Sequence, residues 1–593
     1  MFPSSYADPA KGNPIPLQII AILGAGILAW SNSFSAPFVF DDLTSIVNNP
    51  LIRSLQRLLT DPALFCAAPR RFLGQLSFAA NYRIGGLNQF GYHAVNLAIH
   101  LATALLLFMF LRLLLTGGVE NKGRSTTAQP FSAPFSAALI FAVHPVQTQA
   151  VTYITQRFTL LATFFYLLAL LCYAKSRTTG NSNSAPYNSW YSAAILATVG
   201  AMFSKEISFS IPFSIALLEL TLFPGTIRKR LMLLVPFGAL LAIPVLMLFA
   251  ATDSELTTLT MLTKTGLPST TYANYLITQP AVLCTYLRLL FLPINQTIDY
   301  DYQVYQAVTA LPVLAGILLL TALIGLILYL YRQGTRSSRL AGFGMSWFLA
   351  ALSAEALVPL SDVINEHRLY LPLAGASITA SSALGWLALR LGTKAVNTTL
   401  LLLVLLLAAA TWQRNLIWSD ELLLWSDAVA KAPGKARPHY NLGTILSKRG
   451  LTEAAEQEFN AALAIEPGHA RARYNLGVLR AAKGDVTSAM SDYQAAIRLD
   501  PGLAEAHNAL GVLLSREGRS DEAIRSYREA LRIAPELAEA RNNLGSALAA
   551  RGEIDAALQA FREAVRLDPL NRSYRANLER ALKIRNNPVV NNF

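Results

Sequence analysis

The sequence predicts an all-α protein in two parts: a polytopic helical membrane domain, then a soluble α-solenoid. Three observations carry this prediction. Hydrophobic residues fill 53% of the 593 positions and charged residues 14%, with a mean hydropathy of +0.38, whereas soluble domains are roughly 25% charged. Apolar runs long enough to cross roughly 30 Å of hydrocarbon recur as far as residue 413. Beyond residue 438 the chain repeats every 34 residues. The expected division is a membrane domain at 1–414, a connector and partial repeat at 415–437, four repeats at 438–569, and a capping helix and tail at 570–593. Charge divides likewise, with 25 Lys/Arg and 14 Asp/Glu in 1–414 against 24 and 22 in 415–593. Most of the net charge of +13 therefore belongs to the membrane part, and no nucleic-acid partner is expected. Three cysteines (Cys66, Cys172 and Cys284) with no CxxC exclude a disulfide scaffold and a cysteine-based zinc site.

The apolar runs lie near 15–34, 92–115, 131–146, 153–174, 187–204, 206–223, 231–250, 309–331, 340–360, 369–391 and 396–413, about eleven spans. The first reads as a retained helix, because one basic residue, Lys11, precedes it and no small-residue cleavage site follows cleanly. Lys/Arg in short loops set orientation. The basic loops are Arg112/Lys122/Arg124, Lys175/Arg177, Arg228/Lys229/Arg230, Arg332/Arg336/Arg339 and Arg390/Lys394. Placing them in the cytoplasm with the N-terminus gives that side 14 basic and 3 acidic residues, against 11 and 11 opposite. This requires an even number of crossings between Arg230 and Arg332. The ambiguous run at 273–292, with Pro280 and Arg288 inside it, is thus expected to be a re-entrant or interfacial helix buried against protein. The C-terminal half then lies outside the cytoplasm.

In the soluble half, Gly443, Gly477, Gly511 and Gly545 share one phase and the turn glycines Gly450, Gly484, Gly518 and Gly552 another. Ala455, Ala489, Ala523 and Ala557 recur, as do the aromatics Phe459, Tyr493, Tyr527 and Phe561, and Pro467, Pro501, Pro535 and Pro569 close each unit. Small residues let paired helices approach, the aromatic fills the hole between them, and proline ends the second helix. This is the tetratricopeptide signature, and Trp425 to Pro433 reads as the second helix of a partial unit. Such arrays form concave surfaces that bind peptides; the alternative is an oligomerisation or spacer module.

Ionisable residues near a bilayer are costly and mark functional sites. Here Asp41-Asp42 follows the first run; His93, Asn96 and His100 share one helix face; His144-Pro145-Val146-Gln147 leads to Gln156-Arg157; Lys205-Glu206 joins two runs; Asp299 and Asp301 sit in an aromatic loop; and Glu366-His367-Arg368-Leu369-Tyr370 precedes another run. On the topology set by loop charge, all of them fall at the non-cytoplasmic surface. Paired carboxylates supply a general base for a hydroxyl nucleophile, with room for a divalent cation between them. Lys205, Arg157, His367 and Arg368 are suited to clamp a phosphate leaving group. The combination points to group transfer from a lipid-linked phosphate donor. Each piece has a plainer reading: a solvated cap for Asp41-Asp42, interhelical hydrogen bonding for the His/Asn face, a local ion pair for Lys205-Glu206, an interfacial anchor for Glu366-His367-Arg368.

Phe-x-Phe-Asp-Asp at 38–42, Arg71-Phe72-Leu73 through Leu76-Ser77-Phe78, Tyr92-His93-x-x-Asn96-x-x-x-His100, His144-Pro145 with Gln147, Ser204-Lys205-Glu206 with Pro212, and Glu366-His367-Arg368-Leu369-Tyr370-Leu371-Pro372 resemble the transmembrane and tetratricopeptide repeat-containing (TMTC) proteins, which are GT-C glycosyltransferases. The likeness runs over about residues 35–580. It implies a polyprenyl-phosphate-sugar donor, typically mannose, transfer to Ser/Thr hydroxyls of exported proteins, and a lumenal repeat domain. It also implies that the acidic pair carries the base, here Asp41 or Asp42. Two features depart from the animal proteins: they usually have more repeats, and they usually have Arg-Tyr where this chain has His367-Arg368.

The expected site is therefore Asp41 and Asp42 as catalytic residues, with His93, His144, Arg157, Lys205, Glu206, His367 and Arg368 binding the phosphate and sugar. No cofactor is firmly implied and no metal-ligand set is named. Expected partners are the lipid-linked sugar donor, membrane lipids, and an acceptor protein or peptide held by the repeats. The first hypothesis is an inverting protein O-glycosyltransferase; others are transfer to a lipid or cell-wall glycan, or a non-enzymatic scaffold or transporter. No KDEL-type signal ends the chain, so a bacterial inner membrane with a periplasmic active site is expected.

Overall fold

The structure, a computed structural model, describes residues 15–61, 69–116, 132–179, 188–243, 246, 272–357 and 362–586, among which there is no strand. Cys66, Lys11, Lys122, Arg124 and positions 244, 245 and 247–250 of the seventh run lie outside the described residues. Two compact units appear, Met1–Leu424 and Trp425–Phe593. The boundary falls beyond the expected residue 414 because the last membrane-half helix continues through Gln413-Arg414-Asn415 to Trp418.

The first unit contains α1 (Ile15–Trp30), α2 (Phe72–Gly85), α3 (Gln89–Thr116), α4 (Ala133–Val143), α5 (Arg157–Thr179), α6 (Ser189–Met202), α7 (Ile211–Leu222), α8 (Ile227–Ala239), α9 (Tyr272–Phe291), α10 (Leu311–Arg332), α11 (Arg336–Ala356), α12 (Tyr370–Leu391) and α13 (Thr393–Trp418). Five of the described helical segments are long and apolar enough to cross a membrane: Gln89–Leu115, Ile154–Thr179, Leu311–Arg332, Glu366–Leu391 and Thr393–Trp418. Ile15–Trp30 and Ala133–Val143 are apolar but shorter. The runs that read as spans from composition often include a non-helical end. Thus 131–146 becomes an 11-residue helix followed by the turn at Pro145.

Loop contacts sort the helix ends into two groups. Segments after α1, α4, α6 and α11 and before α5, α7, α10 and α12, with the first turns of α3, carry the polar motifs. The opposite ends of these helices, with the start of α8, carry Arg112, Arg177, Arg228 to Arg230, Arg332 to Arg339, and Arg390 to Lys394. At that basic end Arg177 pairs with the buried Glu219 at 2.8 Å, and Arg336 donates to the Leu114 carbonyl.

α9 is one continuous 20-residue helix through Pro280, so the break that a re-entrant hairpin requires is absent. A Cβ at Gly316 of α10 would overlap the Pro280 carbonyl, which shows how closely the two helices pack. Both ends of α9 are tied to the polar-motif end of the bundle. Tyr272 and Tyr275 donate to the carbonyls of Leu357 and Glu355 (3.2 and 3.4 Å), and the Leu290 carbonyl meets His144 at 3.0 Å.

The second unit is a run of paired helices, α14 (Glu421–Lys431) entering it, then α15 (Ala436–Lys448), α16 (Thr452–Ile465), α17 (Ala470–Ala482), α18 (Val486–Leu499), α19 (Ala504–Arg516), α20 (Ser520–Ile533), α21 (Ala538–Ala550), α22 (Ile554–Leu567) and the end helix α23 (Arg572–Asn586). A Cβ at Gly443, Gly477, Gly511 or Gly545 would lie 2.7–2.8 Å from the ring of Phe459, Tyr493, Tyr527 or Phe561 respectively. The glycine and aromatic phases are therefore one contact repeated four times. Gly450, Gly484, Gly518 and Gly552 have φ of +75° to +85°, which excludes most side chains from each turn.

Candidate active site

The site is built on the loop after α1. Phe40 has φ +50°, a left-handed conformation that strains a bulky residue, and it sets Asp41 and Asp42 pointing apart. Asp42 is fully buried. One carboxylate oxygen accepts from the Val39 amide (3.1 Å); the other accepts from the Thr155 amide (2.7 Å) and hydroxyl. Burial nevertheless pushes this carboxyl up to about 7, against the pull of the three donors. Asp41 is exposed, and its backbone amide donates to the Tyr153 hydroxyl at 2.9 Å. With both Asp42 oxygens engaged in holding the loop, the pair does not form a two-carboxylate cation cage. Among the described residues no three His, Cys, Asp or Glu side chains come together as a metal site.

The segment that anchors Asp42 leads directly to a cluster of cations. Thr159, one helical turn (about 5–6 Å of axis) beyond Thr155, accepts from the Lys205 ammonium at 2.8 Å. Lys205 follows α6 in extended backbone, immediately before the tight turn of Glu206–Ser210. Its ammonium also lies 3.7 Å from Glu355, whose other oxygen is 3.3 Å from the Arg368 guanidinium. Burial pushes Lys205 below its ordinary value, opposed by Glu355 and Glu206 and aided by Arg71 and Arg368. Arg71 is exposed, stacks 5.4 Å above the Phe158 ring, and acts electrostatically on Lys205 and His367. The His367 backbone amide donates to Gln149, while its ring Nδ1 is buried without a hydrogen-bond partner. Lys205 and Arg368 thus share the Glu355 carboxylate, and with Arg71 acting on Lys205 the cluster keeps positive charge for an anion.

Other expected binding residues are occupied structurally. Arg157 is a correction: its guanidinium is fully buried and donates to Asn96 (2.7 Å), the Tyr92 carbonyl (2.8 Å) and Asn81, with the Phe78 ring 4.6 Å away. All three of its nitrogens are thus engaged by protein groups, and the side chain holds helices together where a phosphate clamp was expected. His144 accepts the Val146 amide on Nδ1 and so presents a protonated Nε2 to the Leu290 carbonyl; burial pushes it down to about 4. It is a neutral joint, not a phosphate clamp. His93 is buried with Nε2 on the Ala36 carbonyl (2.9 Å), and His100 bridges Tyr370 and the Ala142 carbonyl. The His/Asn face therefore makes interhelical bonds. Arg368 is largely engaged too, donating to the carbonyls of Val363 and Asp362. Glu366 pins the next loop by accepting from Gln296, Thr297 and Tyr300.

Arg71 and Glu355 were not among the expected site residues. Glu355 did leave a signal, as the single ionisable residue of the 340–360 run, which is a costly position unless paired.

Residues 425–504 and 508–572 match the tetratricopeptide repeat family model. Over 481 residues the chain is 29% identical to the protein O-mannosyl-transferase F38B6.6 of Caenorhabditis elegans, covering 77% of this chain and 64% of that protein. The mouse protein O-mannosyl-transferase TMTC4 is 26% identical over 72% of this chain and 64% of its own length. The chain is a relative of the TMTC-type proteins. It spans about two-thirds of the length of these two relatives, or slightly less. Among solved structures, YrrB, titled a TPR protein with an unusual peptide-binding site, is 23% identical over 28% of this chain and 84% of its own, at a TM-score of 0.25.

Proposed function

We propose that this chain is a GT-C glycosyltransferase that moves a sugar, mannose, from a polyprenyl-phosphate donor to Ser/Thr hydroxyls of an exported protein, with the solenoid recruiting the acceptor. The observation that carries the proposal is the joining, through Tyr153 to Thr159, of an exposed carboxylate to a net-cationic cluster. Asp41 takes the proton of the acceptor hydroxyl as its oxygen attacks the anomeric carbon from the face opposite the phosphate. The bond from that carbon to the phosphate oxygen breaks, a glycosidic bond forms with inversion, and polyprenyl phosphate leaves. Lys205 and Arg71, with Arg368 behind them, stabilise the charge that develops on the departing phosphate. Asp42 positions Asp41 by anchoring the loop to Thr155.

The loop-charge asymmetry supports placing this end of the bundle and the solenoid outside the cytoplasm, in the periplasm of a bacterial inner membrane. The protein purified with labelled polyprenyl-phosphate mannose tests the reading. Label in protein supports it; label in lipid or glycan alone favours the other transfer, and label in neither contradicts an enzyme of this class.

A further inference from the structure

The solenoid holds a pocket of about 290 Å³ lined by the first helices of successive units and by Tyr493 of a second helix. Its lining includes Tyr474 of α17, Tyr493 of α18, Glu505, Asn508 and Arg516 of α19, and Glu539 of α21. The two rings stand together, with centroids 5.7 Å apart and planes 35° apart. Tyr474 is half-buried, while Glu505 and Glu539 are exposed at the rim. Both carboxylates act on Tyr474. After burial they are the largest influences on its hydroxyl, which is pushed up to about 12. Arg516 lines the same pocket and acts on Tyr493 and, together with Glu539, on Tyr527, while it is not among the groups that act on Tyr474. Glu539 accepts from Asn508 at 3.2 Å.

We infer that this pocket takes a lysine or arginine side chain of an extended acceptor segment, with the cation between Tyr474 and the Glu505 and Glu539 carboxylates. The inference rests on the reading that the solenoid holds the acceptor and adds the chemistry of what it selects. An aromatic face attracts a cation through its quadrupole, and the attraction grows as the site is shielded from water. Two carboxylates beside that face add charge complementarity, while the long methylene stem of Lys or Arg packs on the rings. An acidic side chain at the same place meets two like charges. An apolar one brings no charge to meet the two carboxylates. The geometry thus sets a preference by charge, at a distance from the reacting hydroxyl.

The test uses the full-length protein in detergent and fluorescent ten-residue Ser/Thr peptides that differ at one central position, Lys, Ala or Glu. The expected result is that the Lys peptide binds at least about tenfold tighter than the Ala peptide and the Glu peptide weakest. The preference should fall with added salt and reverse toward Glu in Glu505→Lys, an exposed position whose replacement leaves the repeat's core contacts in place. Melting of Glu505→Lys at the wild-type temperature verifies its fold. Equal binding of all three peptides overturns the cation pocket while leaving the solenoid as acceptor dock. Absence of binding by any peptide, with sugar transfer to the same peptides retained, overturns the dock as well. A preference that persists unchanged in Glu505→Lys assigns selection to another surface and also overturns the pocket.

Discussion

Asp41 and Asp42 are the same chemical group one residue apart, and their surroundings give them different work. Asp42 accepts three hydrogen bonds in a fully buried position, whereas Asp41 faces outward beside Tyr153. The Asp42 carboxyl is held at about 7 in the folded protein, above the ordinary 3.8, so folding takes up a proton. Its contribution to stability is fullest below about pH 4 and is lost as pH rises through about 7. The wild-type melting temperature should therefore fall more between pH 4 and 8 than that of Asp42→Asn, measured by tryptophan fluorescence in detergent. Parallel curves would contradict the assignment. At the cation cluster, Lys205 has fewer bonds to the protein than Arg368, which also holds two loop carbonyls. Removing one charge-assisted contact of about 1.5–3 kcal/mol from the leaving group should make Lys205→Ala roughly 10- to 150-fold slower with normal expression. Arg368→Ala should also lower the melting temperature. The residue types of this site were legible in the sequence, but their partners were not. Arg157 and Lys205 both read as cations at the membrane edge, and only the fold reveals that Asn81, Asn96 and Tyr92 engage all three nitrogens of the first.

Among the elements, the repeats were the most legible because each fixed position encodes one contact. Gly511 faces the Tyr527 ring at 2.7 Å from a would-be Cβ, and Tyr527 is buried and cannot withdraw. Adding bulk there costs about 1–3 kcal/mol, so Gly511→Val should unfold the repeats at a lower temperature, followed by far-ultraviolet circular dichroism. Gly468, with no atom within 4 Å of a would-be Cβ, should tolerate Ala without loss. An unchanged melting temperature in Gly511→Val would refute the packing role. The apolar helices were legible in order but less so in their ends, since hydropathy does not distinguish a helix from the apolar turn that continues it. His144-Pro145 caps α4 within the same apolar run. α9 shows the same limit: Pro280 suggested a break, yet the helix continues. At this point Gly316 of α10, lacking a Cβ, lets the Pro280 backbone approach closely.

At the scale of the helical bundle, one end carries an excess of basic side chains and the other carries the polar motifs, where acids and bases balance, an arrangement that local sequence states only as separate clusters. Both ends of α9 are tied to the polar end, and with that the proposed orientation, built on the positive-inside rule, has the solenoid outside the cytoplasm. A phosphatase that is active only outside the cytoplasm should therefore work when fused after Phe593 and fail when fused in the Arg332 to Arg339 loop; the reverse pattern would invert the topology. The central claim is that the exposed carboxylate of the pair is the base that activates the acceptor hydroxyl. Transfer of labelled mannose from polyprenyl-phosphate mannose to a Ser/Thr peptide, compared between wild type and Asp41→Asn, measures it most directly. General-base catalysis typically supplies 10²- to 10⁴-fold, so Asp41→Asn should lose about that much turnover while donor binding stays near wild type. Full turnover in Asp41→Asn would contradict the account.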